Sequence, residues 1–183
     1  MKNSIIFIIV LILAGSAGFT AQRLMMNSDR QNLPIQLPEE TASVIGQRRP
    51  DFELNDIEGN PRNINEWNNK VILVNFWATW CPPCKKEIPA FMELQEQYAD
   101  QGFQIIGIAI DNLDDVKDYV DTMGINYPVM AAELTAMEIA RLYGNRINAL
   151  PFSAFVDRNG IITHIKPGEL SKEATEKLIQ SLL

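Results

Sequence analysis

The segment Val71-Ile72-Leu73-Val74-Asn75-Phe76-Trp77 is apolar at every position but one and contains several β-branched residues. Such a run makes a strand covered on both faces, so its sheet needs other structure on each side. Residues 103–110 repeat the pattern. Between the two runs, residues 81–98 read as a helix, kinked or restarted near Pro89 because an interior proline removes a helix hydrogen bond. Downstream, residues 112–123 are expected as an acidic helix ended at Gly124, 127–130 as a short strand and 133–143 as a helix ended at Gly144. Residues 152–156 and 161–165 make a hairpin across Asp157-Arg158-Asn159-Gly160, and 171–182 a last helix with Ser171 as N-cap. Upstream, the alternation over residues 51–54, the turn signal Glu58-Gly59-Asn60 and residues 61–64 predict a β-hairpin. The order β-α-β-α-β-α-β-β-α after that hairpin predicts an α/β fold with a central mixed sheet and helices on its two faces.

The first apolar run is closed by Trp80-Cys81-Pro82-Pro83-Cys84, which holds both cysteines of the 183-residue chain and opens the first helix. A thiol at a helix N-terminus sits in the field of unpaired backbone N–H groups and the positive end of the dipole, which favours the thiolate. With a second cysteine one turn on, one sulfur can attack a partner's disulfide and the other can resolve the mixed disulfide. Thiol–disulfide exchange is therefore expected, with the Cys81–Cys84 pair as redox centre and no other cofactor.

Other uses of the pair fit less well. A bridge this short closes a tiny loop and restricts the unfolded chain little. Zinc asks for about four ligands, and His164, in a strand-like stretch, is the one histidine available. No metal site is expected, although a copper-delivery module remains an alternative, with methionine sulfur as a further ligand. A peroxiredoxin-like thiol peroxidase is a second alternative. It would place one cysteine in a Pro-x-x-x-Thr-x-x-Cys context, whereas Thr79 stands two residues before Cys81 and the proline is missing.

A formal net charge of −7 without a basic stripe argues against nucleic acid as a partner. With 46% hydrophobic residues the chain has ample material for one core. Residues 5–19 are uncharged and apolar, and no charge follows until Arg23. Residues 1–23 are thus expected to enter the membrane, as an uncleaved anchor on length, with a signal peptide cleaved near the small residues Ala14, Ser16 and Ala17 as the alternative. Lys2 stays inside, so the rest of the chain is exported. Residues 24–43, with Pro34 and Pro38 and no periodicity, read as a tether, and the folded domain spans 44–183.

The block from Val74 through Trp77, Trp80, Cys81 and Cys84 to Glu87 resembles the active site of the membrane-anchored, extracytoplasmic TlpA/ResA-like branch of the thioredoxin superfamily. Arg49-Pro50-Asp51-Phe52 is similar to that branch's opening hairpin, and residues 112–130 fall where it inserts a helix and strand. Tyr143-Gly144 and Leu150-Pro151-Phe152 resemble its cis-proline segment, with Phe152 in place of a small hydroxyl residue and a slightly long spacing from Gly144. The resemblance implies a thioredoxin fold, Cys81 as exposed nucleophile and Cys84 as buried resolving thiol. It implies that Pro151 is cis and leaves neighbouring backbone groups free for a client, and that Glu87 shuttles the Cys84 proton. Trp77 and Trp80 would shape an apolar docking surface with Pro82, Pro83, Leu150 and Pro151. Asn75 stands where cytoplasmic thioredoxin has a buried aspartate, and an amide does not ionise at neutral pH, so that route for proton transfer is absent. Relatives of this type reduce protein disulfides outside the cytoplasmic membrane, those of apocytochrome c included, and draw electrons from a membrane donor. Pro82 and Pro83 remove two amide donors near Cys81, which also favours a reductant.

Overall fold

The computed structural model describes residues 43–183, and its first element is the expected hairpin, β1 (Glu53–Asn55) antiparallel to β2 (Pro61–Asn63). Asp56 organises the connection, its Oδ1 accepting the backbone N–H of Glu58 and of Asn60, while Gly59 takes φ 88°, a conformation a residue with a Cβ resists. A short 3-10 turn, Ile64–Trp67, follows and is closed by a capping box between Asn63 and Glu66.

The apolar run becomes β3 (Val71–Trp77), the middle strand of a five-stranded sheet. It pairs in parallel with β4 (Phe103–Ala109), which pairs in parallel with β5 (Val129–Ala131). On its other side β3 pairs antiparallel with β6 (Phe152–Val156), and β6 with β7 (Ile162–Pro167), giving the order β5-β4-β3-β6-β7. The helices are α1 (Pro82–Tyr98), α2 (Leu113–Met123), α3 (Leu134–Leu142) and α4 (Lys172–Leu182). This is the predicted mixed sheet, a thioredoxin fold with a β-hairpin ahead of it and α2 plus β5 as the helix–strand insertion.

Two apolar clusters explain why β3 has no polar face. Val71, Leu73 and Trp77 pack with Ile88, Phe91 and Leu94 of α1, Val116 and Val120 of α2 and Ile179 of α4. Ile72, Val74 and Phe76 point the other way, onto Ala136, Ile139 and Ala140 of α3 and onto Phe52, Leu54, Ile64 and Trp67 of the hairpin segment. Alternation along the strand sends each half of the run to a different core.

Three boundaries differ from expectation. α1 runs unbroken through Pro89, which lies on its exposed face, so the carbonyl that the ring leaves unpaired faces water. β5 starts two residues late because Pro128 lends only its carbonyl to the Gly107 N–H, and β7 extends to Pro167. The expected membrane segment 1–23 and the tether, apart from Ser43, lie outside the described residues. Among the described residues no helix is long and apolar enough to cross a membrane.

Candidate active site

Cys81 is the N-cap of α1, with extended backbone angles, and Pro82 and Pro83 occupy the first helical positions. Prolines are suited there, since first-turn N–H groups have no partner within the helix. One consequence is that Cys84 N–H is the donor left at the helix start, and it points at Cys81 Sγ at 3.4 Å. The two sulfurs form a disulfide, with the Cα atoms 5.3 Å apart. Ahead of the helix the chain is held by Asp111, whose Oδ2 accepts both Thr79 N–H (2.9 Å) and Thr79 Oγ1–H (2.6 Å). That clamp joins the end of β3 to the end of β4 and fixes the approach to Cys81.

The pair lies deeper than expected. Cys84 is fully enclosed, and Cys81, expected to be exposed, retains only 3% of its surface in the disulfide form. Its sulfur turns inward to bond with Cys84, and both residues join the apolar cluster beneath α1. Trp77 corrects a second expectation: it is wholly buried and forms no docking surface. As the last residue of β3 it points into the α1 face, packing on Tyr119 with ring centroids 5.5 Å apart and lying over Gly107. Trp80, three residues beyond the end of the strand, is 64% exposed.

Pro151 lies at the same end of the sheet. Phe76 pairs with Phe152, so the residues that follow β3 and those that precede β6 emerge side by side. The Leu150–Pro151 peptide is cis. Pro151's carbonyl already accepts Gly168 N–H at 2.7 Å, so it is not among the backbone groups left for a client. The long spacing from Gly144 is taken up by a loop that Asn145 pins from within, its side chain donating to Ala149 O and accepting from Ala149 N–H. Trp80, Ile110, Met137, Ala140, Asn148 and Leu150 line a largely apolar groove of about 240 Å³ beside the disulfide, and Ile147 is exposed on the same loop. Phe152 itself is buried in the second core.

Beneath the disulfide sits Glu87, one helical turn past Cys84 and 2% exposed. It is not a solvated helix carboxylate. Asn75 Nδ2 donates to its Oε1 at 2.8 Å and Leu170 N–H to its Oε2 at 2.9 Å. Burial outweighs these two donors, and the nearby Glu169 charge adds to it, pushing the Glu87 carboxyl up to about 7. Asn75 also donates to Ser153 Oγ at 3.0 Å, across the β3–β6 pair.

Sequence reasoning did not find the Thr79–Asp111 clamp, the Asn145 pin or the Leu170 N–H, all of which depend on loops brought together by the fold. The acidic residue directly after the second buried strand was the one signal available for Asp111. His164 lies exposed on β7, edge-on to Phe155. Among the described residues no group of three or more His, Cys, Asp or Glu side chains is placed to hold a metal.

Comparison with known proteins adds to the geometry. The model of the AhpC/TSA family matches residues 45–165. The thiol-disulfide oxidoreductase ResA of Bacillus anthracis is 32% identical over 184 aligned residues, covering 99% of this chain and 98% of that protein. ResA of Geobacillus thermodenitrificans is 30% identical over 79% of this chain and 81% of that protein. Among solved structures, a thioredoxin-family thiol:disulfide interchange protein from Chlorobium tepidum superposes with a TM-score of 0.67 at 32% identity, covering 77% of this chain and 99% of that one.

Proposed function

The chain belongs to the AhpC/TSA family as a ResA-like thiol:disulfide oxidoreductase of thioredoxin fold, and from that we propose that it reduces protein disulfides outside the cytoplasmic membrane, with Cys81 attacking and Cys84 resolving. The observation that carries the assignment of roles is the asymmetry of the pair. Cys81 caps the helix and receives the Cys84 N–H, while Cys84 is sealed beneath it. In the proposed cycle the Cys81 thiolate attacks one sulfur of a client disulfide, forming a mixed disulfide and releasing the other client sulfur as thiolate. Cys84 then gives its proton to the Glu87 carboxylate and attacks Cys81 Sγ. The second client sulfur leaves as a thiolate and is protonated, and the Cys81–Cys84 disulfide forms as two electrons pass to the client. A carboxyl poised near 7 one turn from Cys84 is suited to that transfer.

The reducing direction is supported by Pro82 and Pro83. With two amide donors missing, the reduced form is less stabilised than in a helix start with free N–H groups, which makes the pair a better reductant. Regeneration then needs a dithiol donor at the membrane, and the apolar segment 5–19 would hold the domain there. Trp80, Pro82, Pro83, Leu150 and Pro151 would receive the client chain, with apocytochrome c as one client class.

Replacing Cys84 by Ser in cells tests the assignment. Mixed disulfides should accumulate on Cys81 and vanish when Cys81 is replaced as well, read on non-reducing gels. An empty trap would remove exchange as the physiological role. Equilibration of the full chain with glutathione buffers then reads the direction.

A further inference from the structure

Glu87 must exist in two states if it carries a proton, and those states ask opposite things of the group facing Oε1. The arrangement described above suits the carboxylate, since both of its oxygens accept N–H donors, from Asn75 and from Leu170. A protonated Oε1 becomes a donor, and against Asn75 Nδ2 it would meet a second donor. Burying a hydroxyl without an acceptor is costly, so the acid form needs a different partner or a different Asn75.

The surroundings offer that difference. Asn75 is fully buried, and its Oδ1 has no hydrogen-bond partner among the described residues while Nδ2 serves both Glu87 and Ser153. Rotating the amide by a half turn about χ2 exchanges its two ends without moving the backbone. Oδ1 would then accept Glu87 Oε1–H on one side and Ser153 Oγ–H on the other, the serine hydroxyl changing from acceptor to donor. Leu170 N–H keeps its bond to Oε2 throughout.

We infer that Asn75 is a positioning residue that keeps Glu87 hydrogen-bonded in both of its protonation states, by turning its amide end for end when the carboxyl takes the Cys84 proton. The amide carries no proton itself. It supplies a donor to one state and an acceptor to the other, which a buried aspartate at this position would not do for an ionised partner. The groups that act on Glu87 are Asn75 from the sheet, itself bonded to Ser153, Glu169 and Leu170 from the segment before α4 and Tyr127 from ahead of β5, with Cys84 one turn earlier on its own helix. Glu169 is itself 3.9 Å from Lys86 Nζ.

The inference rests on Glu87 as proton carrier, yet its test reads the carboxyl and not exchange activity, so the two fail separately. The oxidised full chain, labelled at the glutamate carboxyl carbons and the asparagine amide nitrogens, is titrated by NMR in detergent micelles. The Asn75 side-chain amide signals should move with the same midpoint as Glu87. In Asn75→Leu, which removes the donor from the carboxylate, that midpoint should rise by about one unit, roughly tenfold in acidity, because a bond to the ionised form is stronger than one to the neutral acid. A folded Asn75→Leu with an unmoved Glu87 midpoint overturns the proposal, since an amide that holds the carboxylate must shift it when lost. Should that variant fail to fold, wild-type Asn75 signals that stay still through the Glu87 titration overturn it equally.

Discussion

Glu87→Gln should make the protein more stable at alkaline pH than at acid pH relative to the wild type, and the size follows from the burial of the carboxyl. The group titrates near 4.5 when solvated and at about 7 in the fold. Between those values the unfolded chain holds fewer protons than the folded one, so each rise in pH favours unfolding. Stability that is complete below the unfolded pKa is lost as pH climbs through the folded pKa. Two and a half units at 1.36 kcal/mol each amount to about 3 kcal/mol over the whole window, and about 2 to 3 kcal/mol between about pH 5 and about pH 8. That is a large share of the roughly 5–15 kcal/mol that holds a domain folded. Glutamine stays neutral throughout and so lacks this slope. Urea unfolding of the oxidised chain at about pH 5 and about pH 8, variant against wild type, isolates the difference because every other titrating group cancels. Whatever glutamine changes in packing appears at both pH values alike. Two stability profiles that run parallel over that range would refute the reasoning, and with it the view of Glu87 as a desolvated acid.

Trp80→Ala should leave urea stability within about 0.5 kcal/mol, since the ring is 64% exposed, while raising KM for a protein disulfide and sparing reduction by a small dithiol. An unchanged KM would remove Trp80 from the docking surface. Gly107→Ala should cost about 1–3 kcal/mol in the same unfolding assay, because the added Cβ would lie 3.2 Å from both Trp77 Nε1 and Tyr127 Cε2. A neutral result would mean that the two rings yield.

The sheet was legible because its strands are unambiguous: a seven-residue apolar run with one interruption has few alternatives to a doubly buried strand. The interruption was informative as well. Asn75 on a fully buried strand needs a polar partner from elsewhere, and Glu87 is that partner, but the residue on α1 that meets the sheet depends on helix rotation set by packing. Trp77 and Trp80 show the limit in another way. Their side chains are of one kind and three residues apart, yet one closes a core and the other faces solvent. The strand ends between them, and alternation assigns a face only while the strand lasts. Likewise the inward turn of Cys81 follows from a bond to Cys84 whose formation removes its sulfur from water, so the exposure that the family resemblance implied does not hold in the disulfide form.

That inward turn constrains the proposed cycle. Attack on a disulfide proceeds in line with the S–S bond, and the rate depends on which sulfur an incoming thiolate can reach. Cys84 lies beneath the helix start with no exposed surface, so a thiolate from outside meets Cys81 or nothing. The client, approached by the reduced chain, and the donor, attacking the oxidised chain, must therefore use the same sulfur from the same side. Trp80, the residue before Cys81, and Leu150, the residue before Pro151, line one small groove of about 240 Å³. Two macromolecules would not fit there together, so in the proposed cycle client and donor would take turns, and the chain between encounters would store the electron pair as a dithiol. Glu87 suits the proposed alternation because it is buried, 2% exposed, one helical turn past Cys84, where it would exchange a proton with that thiol without competing with either partner for the surface at Cys81.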